Sequence, residues 1–208
     1  MLHVGIYHAE VAGCIYLFVL FYIQTNMVLI REATGLLRDS SPLGVALSGS
    51  YMHILVVYYS KTGNTEKMAL ATAEGVKEAG VDAVVKKADE TTNEDLLEAD
   101  GIIVGSPTYY GQMASQVKAL FDSSVQIHGK LEGKVGAAFT SSGGNAYGGE
   151  TTMLSILEAM LVHGMIIQGR ANSQHYGSAV VGKPQEQDEE KCRQSGKRVA
   201  DLVLRLRR

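Results

Sequence analysis

Apolar strand-like runs alternate with helix-like periodicity from residue 52 onward. The first run, 54–59, is β-branched or aromatic at every position except Leu55, which is typical of a parallel strand buried on both faces. The segment 66–79 then places apolar residues three or four positions apart, which predicts a helix. By the same criteria we predict further strands at 82–88, 101–106, 135–140 and 165–168, helices at 115–124, 150–163 and from about 187, and a short helical connection around 96–97.

Alternating strands and helices of these lengths predict an α/β fold. Right-handed crossovers between successive strands give a doubly wound, five-stranded parallel sheet with helices on both faces. Residues 172–181 either interrupt or extend the fifth strand. In such a sheet, ligands bind beyond the carboxyl ends of the strands, so the loops at those ends are where we look for chemistry.

Residues 1–51 do not share this pattern. Residues 11–30 are largely apolar and together approach the length of one membrane span, although polar residues interrupt them. A secretory signal is disfavoured because no basic region precedes the apolar run. Since Met52 stands at the start of the first strand, we expect an N-terminal extension (1–51) and a separate domain (52–208). The extension is either a mis-assigned translation start or appendage, which we favour, or a hydrophobic anchor.

Charge and cysteine content narrow the class of protein. The 208-residue chain has a formal net charge of −3, so no basic excess indicates nucleic-acid binding. The two cysteines, Cys14 and Cys192, lie far apart and form no C-x-x-C pattern. This spacing indicates neither a metal site nor a disulfide framework, and it favours a reducing, cytoplasmic setting.

The loop after the first strand has the composition of a phosphate site. It reads Ser-Lys-Thr-Gly-Asn-Thr over 60–65 and leads directly into a predicted helix. The first amides of a helix are unpaired and its dipole favours an anion, so a hydroxyl-rich loop at this place suits a phosphate monoester. The spacing matches neither the P-loop nor the G-x-G-x-x-G dinucleotide fingerprint. An ordinary capped turn is the alternative.

Two further strands end in unusual loops. Residues 106–113 (Ser-Pro-Thr-Tyr-Tyr-Gly-Gln-Met) offer a rigid proline and two aromatic rings, which suit the face of a flat heterocycle. Residues 140–149 (Thr-Ser-Ser-Gly-Gly-Asn-Ala-Tyr-Gly-Gly) offer glycines that let backbone amides approach a polar ring edge. Each loop alone is weak evidence, because tyrosines also pack and glycine-rich loops are also plain surface. Together the three loops predict a receptor for a phosphate, a ribityl chain and an isoalloxazine ring.

The same segments carry a family resemblance. Residues 52–208 resemble the flavodoxin-like superfamily and, more narrowly, the WrbA-type NAD(P)H:quinone oxidoreductases. The resemblance rests on the motifs at 55–65, 105–113 and 139–144, and on His-Gly-Met at 163–165. It implies the strand order 2-1-3-4-5. The connection between the second and third strands, 88–100, is shorter than is typical of that branch.

The resemblance implies a role for each loop. Phosphate binding would fall to the first loop, ring contact to the second, and contact with the ring's polar edge and the ribityl chain to the third. The predicted cofactor-binding residues are Ser60, Lys61, Thr62, Gly63, Asn64, Thr65, Pro107, Thr108, Tyr109, Tyr110, Gly111, Thr140, Ser141, Ser142, Gly143 and Gly144. His163 is the predicted catalytic residue, reaching a flavin across a subunit interface; the alternative is an ordinary helix-end histidine.

The implied activity is transfer of two electrons from NADH or NADPH through FMN to a quinone, as hydride and in ping-pong order. The implied assembly is a homodimer or homotetramer, with membrane contact only if residues 11–30 are an anchor. A flavodoxin-type electron carrier is the main alternative, since it would use the same loops. Carriers that dock on basic partners favour a markedly acidic face. Residues 52–208 contain 17 Lys and Arg against 19 Asp and Glu, and this near balance favours the enzyme over the carrier.

Two other classes fit less well. An iron–sulfur flavoprotein is disfavoured because Cys192 is the single cysteine of residues 52–208 and cannot ligate a cluster. A flavin-free binding domain would leave the three loops without a purpose.

Overall fold

The protein is described by a computed structural model that covers residues 52–207. The strands are β1 His53–Tyr58, β2 Asp82–Lys87, β3 Gly101–Pro107, β4 Val135–Ser142, β5 Ile166–Ile167 and β6 Ser178–Val181. The helices are α1 Asn64–Glu78, α2 Asn93–Glu98, α3 Ser115–Ser123, α4 Gly149–Val162 and α5 Glu186–Leu206, with short 3₁₀ turns at Ala88–Glu90 and Ser124–Ile127. The predicted extension, with its apolar segment, lies outside these residues.

All strand pairs of the main sheet are parallel. The order is β2-β1-β3-β4-β5, which confirms the predicted doubly wound sheet and its strand order. The fifth position is shared by two short strands, because β5 pairs with the start of β4 and β6 pairs with its end. Residues 168–177 lie outside the sheet, between β5 and β6. The segment 172–181, predicted to interrupt or extend the fifth strand, therefore first interrupts it and then extends it as β6.

The two faces of the sheet build two separate cores. Ile54 and Val56 of β1 point to one face, where α1 and α5 cover them. Leu55 and Val57 point to the other, where α2, α3 and α4 cover them. Because both of its faces are buried, β1 carries apolar residues at successive positions rather than at alternate ones, which is why the sequence predicts this strand from the run 54–59.

Two glycines let α1 and α5 approach each other closely. A Cβ added to Gly75 would lie 1.9 Å from the Arg193 carbonyl oxygen, and one added to Gly196 would lie 2.0 Å from the Thr72 carbonyl oxygen. Around this contact Arg193 pairs with Glu74 across the two helices and with Glu186 within α5. The first face is therefore sealed by backbone-to-backbone contact, which fixes the direction of α1 and hence of its N-terminus.

No helix within residues 52–207 is long and apolar enough to cross a membrane.

Candidate functional site

Three loops meet at the carboxyl edge of the sheet because β1, β3 and β4 are neighbours in it. They surround a cavity of about 160 Å³. Its walls are formed by Lys61, Thr62, Asn64, Thr65, Pro107, Thr108, Tyr109, Ser141, Ser142 and Gly143. Each of these belongs to the predicted binding set. Of the remaining predicted residues, Ser60, Gly63, Tyr110, Gly111, Thr140 and Gly144 lie in the same three segments but not in the cavity wall.

The first loop delivers the N-terminus of α1 to the cavity. Gly63 takes a left-handed conformation (φ +85°) just before the helix, and its amide donates to the Ser60 hydroxyl oxygen at 3.1 Å. The first intrahelical bond runs from the Lys67 amide to the Gly63 carbonyl. The amides of Asn64, Thr65 and Glu66 precede that bond, so the helix supplies them with no acceptor. This end of α1 thus presents unpaired donors with a favourable dipole.

Ser141 connects all three loops. Its hydroxyl lies 2.8 Å from the Thr65 hydroxyl of the first loop, and its carbonyl accepts from the Thr108 amide of the second at 2.8 Å. Ser141 itself is the second-last residue of β4 and belongs to the third loop segment, 140–149. Thr65 is 1% exposed and Ser141 is 6% exposed, so water does not compete strongly for the hydroxyl contact. The spacing of the loops is therefore set by hydrogen bonds beneath the cavity.

The second loop is a tight hairpin. The backbones of Tyr109 and Gln112 exchange two hydrogen bonds, and Tyr110 and Gly111 between them both have positive φ (52° and 73°). A left-handed tyrosine is strained, by about 1 kcal/mol, and such strain concentrates at functional sites. The Tyr110 side chain is fully exposed, so it does not pack within the described chain. Burial, followed by the nearby Tyr59, raises the pKa of Tyr109.

A chain of hydroxyls lies under the same hairpin. Thr140 donates to the Ser106 carbonyl at 2.7 Å. Since its single proton is used there, the 3.0 Å contact between Thr108 and Thr140 must have Thr108 as the donor. The Thr108 oxygen can then offer only a lone pair to the cavity. Thr140 is fully buried, so its hydroxyl supports the site from below instead of facing it.

The third loop contains an aromatic residue that the sequence reasoning did not select. Tyr147 is 65% exposed, and its ring lies over Gly144, where an added Cβ would be 2.6 Å from it. The same loop touches the second, because a Cβ on Gly148 would lie 2.7 Å from the Gly111 Cα. An aromatic residue embedded in a glycine-rich loop at a strand end was the available signal. The site edge thus carries Tyr109, Tyr110 and Tyr147 as partly or fully exposed rings.

An acidic side chain also stands at this helix start. Glu66 accepts from the Tyr58 hydroxyl at 2.7 Å. Burial, with the Glu66 carboxylate, raises the pKa of Tyr58 to about 12, so the phenol remains a donor at neutral pH. The contact holds Glu66 to the strand beneath its own helix.

His163 lies away from the three loops within one chain. It follows α4, whose 14 residues begin in the third loop and run back about 21 Å toward the other end of the sheet. The ring is 6% exposed, with Nε2 2.8 Å from the Ser124 hydroxyl. Burial, followed by His128, lowers the pKa of His163. Its catalytic role across a subunit interface stays a prediction.

Comparisons with known proteins agree with this fold and loop arrangement. The family described as "Flavodoxin" matches residues 56–196. A flavodoxin of Aquifex aeolicus is 40% identical over 159 residues, covering 72% of this chain and 86% of its own. An NAD(P)H dehydrogenase (quinone) of Archaeoglobus fulgidus is 38% identical over 188 residues, covering 74% of this chain and 98% of its own.

The solved structures give the same result. A flavodoxin, WrbA-like protein from Agrobacterium tumefaciens superposes with a TM-score of 0.65 at 27% identity, covering 74% of this chain and 98% of that one. The family match at residues 56–196 includes all three loops, the strands β3 and β4, and the end of β1. On the strength of the sheet order, the loops and these matches, the chain belongs to the flavodoxin family.

Proposed function

We propose that the protein binds FMN at the carboxyl edge of its sheet and uses it to transfer electrons from NADH or NADPH to a quinone. The observation that carries the binding proposal is the cavity itself, since all its wall residues come from the three predicted loops. The residues present fit the cofactor chemically. Unpaired first-turn amides at Asn64 and Thr65 suit an anionic phosphate, and the positive charge of Lys61 adds to them.

The second and third loops supply the ring site in this proposal. Pro107, Tyr109 and Tyr147 provide flat apolar surface, and Gly143 keeps backbone amides accessible because no atom lies within 4 Å of where its Cβ would be. The Thr108 oxygen, which has already used its proton, suits an N–H donor on the ring edge. Amides directed at the ring also stabilise negative charge that develops there on reduction.

The reaction proposal rests on the relatives. Several proteins named NAD(P)H dehydrogenase (quinone) are 34–43% identical to this chain. Bound FMN supplies two-electron redox chemistry, and a ping-pong order lets nicotinamide and quinone use one cleft in turn. The chain's own residues bind and orient the reactants in this proposal, and the Tyr110 side chain beside the cavity is fully exposed to solvent. The lack of a dinucleotide fingerprint fits a nicotinamide that binds only transiently.

An electron carrier is the second candidate. It is favoured by the relatives named flavodoxin, at 40% and 35% identity, which match over similar lengths. A carrier would bind FMN through the same loops and take electrons from a partner reductase. Only reactivity separates the two functions.

The deciding experiment is the visible spectrum of the purified protein with FMN, followed by anaerobic NADH or NADPH and then a benzoquinone. Flavin absorbance that bleaches with the nicotinamide and returns with the quinone supports the oxidoreductase. Bound flavin that ignores both nicotinamides but is reduced through a flavodoxin reductase supports the carrier. Absence of flavin binding overturns both.

Assembly into two or four copies is part of the proposal. Val125 and Val162 are each 71% exposed, and each is the chain neighbour of one member of the hydrogen-bonded pair Ser124 and His163, so exposed apolar side chains flank this pair. An interface between copies would cover these side chains and bring the His163 region near another chain. Light scattering is expected to show a dimer or tetramer that Val162→Glu dissociates. A monomeric wild-type protein contradicts this assembly and the predicted role of His163.

A further inference from the structure

Thr65 and Ser141 stand apart from the other buried hydroxyls. Within residues 52–207, eight serine and threonine side chains are buried. Six of them donate to a backbone carbonyl oxygen: Thr72, Ser106, Ser124, Thr140, Thr152 and Ser178. The hydroxyls of Thr65 and Ser141 bond only to each other among the described residues.

This pairing leaves one proton over. Each hydroxyl has a single proton to donate, and one hydrogen bond between the two oxygens uses only one of them. The second proton lies at 1–6% exposure without an acceptor in the chain, which is a costly arrangement in a folded protein unless a ligand satisfies it. Both residues line the cavity, so the acceptor can come from there.

The position of the pair indicates which proton is free. Thr65 is the second residue of α1, where the helix amides already favour an anion. Ser141 is anchored through its own backbone, since its carbonyl accepts from the Thr108 amide. The arrangement with Ser141 as donor and Thr65 as acceptor therefore turns the remaining proton toward the helix terminus.

We infer that Ser141 is a positioning residue for the cofactor phosphate: it donates to the Thr65 hydroxyl oxygen and so orients the Thr65 proton toward a phosphate oxygen. This inference rests on the proposed FMN site. It assigns Ser141 to the phosphate end of the site, whereas the sequence placed it at the ring edge and ribityl chain. It also makes Ser141 the residue that couples the phosphate loop to the ring loops.

The test compares FMN with riboflavin, which lacks the phosphate. Ser141→Ala is expected to weaken FMN binding about tenfold, because one hydrogen bond to a charged group is no longer oriented. Riboflavin binding is expected to change less than about twofold. Thr65→Val is expected to give a similar FMN-selective loss, and Thr65→Ser to retain most of the affinity. Because both act on one hydrogen-bond path, the double variant Thr65→Val with Ser141→Ala is expected to lose little more than Thr65→Val. Fluorescence quenching gives each dissociation constant.

Thr72→Val is the matched control. Thr72 is a buried threonine of the same helix, but its proton goes to the Met68 carbonyl one turn earlier. It is expected to lower thermal stability without separating FMN from riboflavin. If Ser141→Ala does not fold, Ser141→Cys, whose thiol is a weak donor, carries the same expectation.

Equal losses for FMN and riboflavin, or no loss for FMN, overturn the role of Ser141. Additive losses in the double variant overturn the shared path. Wild-type protein that binds neither flavin refutes the proposed function itself, which is a separate outcome.

Discussion

Two glycines at the loop edge and two in the packed body of this domain serve opposite purposes. At the loop edge, Gly63 takes a left-handed conformation and Gly143 leaves open space, with no atom within 4 Å of an added Cβ at either position. In the body, Gly75 and Gly196 are ordinary helical residues whose missing side chains let two backbones touch. The comparison indicates that an added side chain at Gly143 acts on ligand binding, whereas one at Gly75 or Gly196 acts on stability.

The largest expected effect is that of Gly75→Ala. Its methyl group would overlap the Arg193 carbonyl, and because the obstacle is backbone, α1 and α5 must separate. We expect a loss of about 3 kcal/mol in the free energy of unfolding. Urea denaturation measures it. A stability loss below about 0.5 kcal/mol would show that the helices can yield.

The converse substitution is Gly143→Ala at the cavity wall. The added methyl meets no protein atom, so the free energy of unfolding should stay within about 0.5 kcal/mol of wild type. It does enter the cavity, so FMN affinity should fall about fivefold, equivalent to about 1 kcal/mol. Titration with FMN and urea denaturation of the same sample separate the two effects. A variant that is destabilised and binds FMN normally would reverse the comparison.

A pH dependence of stability is expected from the body as well. Burial lowers the pKa of His163 in the folded state, so the unfolded chain binds a proton more readily. The stability contribution of neutral His163 is thus complete above the unfolded pKa of about 6.5 and is lost as the pH falls toward the lower folded value.

Urea denaturation at a series of pH values checks this, with His163→Gln as the variant that should flatten the profile. In His163→Gln the amide can still bond to the Ser124 hydroxyl but does not titrate. An unchanged slope between about pH 5 and about pH 7 in this variant would assign the dependence to other groups.

The smallest effect is expected at the loop edge itself. Tyr110→Asn replaces a fully exposed left-handed tyrosine by a residue that tolerates this conformation, so stability should rise by about 0.5 kcal/mol. Tyr176→Asn is the matched control, because Tyr176 is also exposed but has no positive φ. Thermal unfolding compares the two. Equal shifts would indicate that the hairpin stores no strain.

The sequence alone determined most of the sheet. Strands buried on both faces must be apolar throughout, so the runs at 54–59 and 101–106 located β1 and β3 to within one residue at either end. Chain alternation and the handedness of crossovers then put three loops at one edge, which is why ten predicted residues line one cavity. The local pattern is sufficient here because the burial of each element can be predicted from the polarity of its own residues.

Only the tertiary structure decided contacts between residues distant in sequence. The Thr65–Ser141 pair joins positions that are 76 residues apart in the sequence. The Gly75–Arg193 contact joins the first and the last helix of the domain. The place of His163 depends on the direction of α4, and the division of the fifth strand depends on which part of β4 each segment meets. The residues next to a hydroxyl or a glycine in the sequence do not indicate which distant residue it contacts. Its partner is therefore known only from the folded structure.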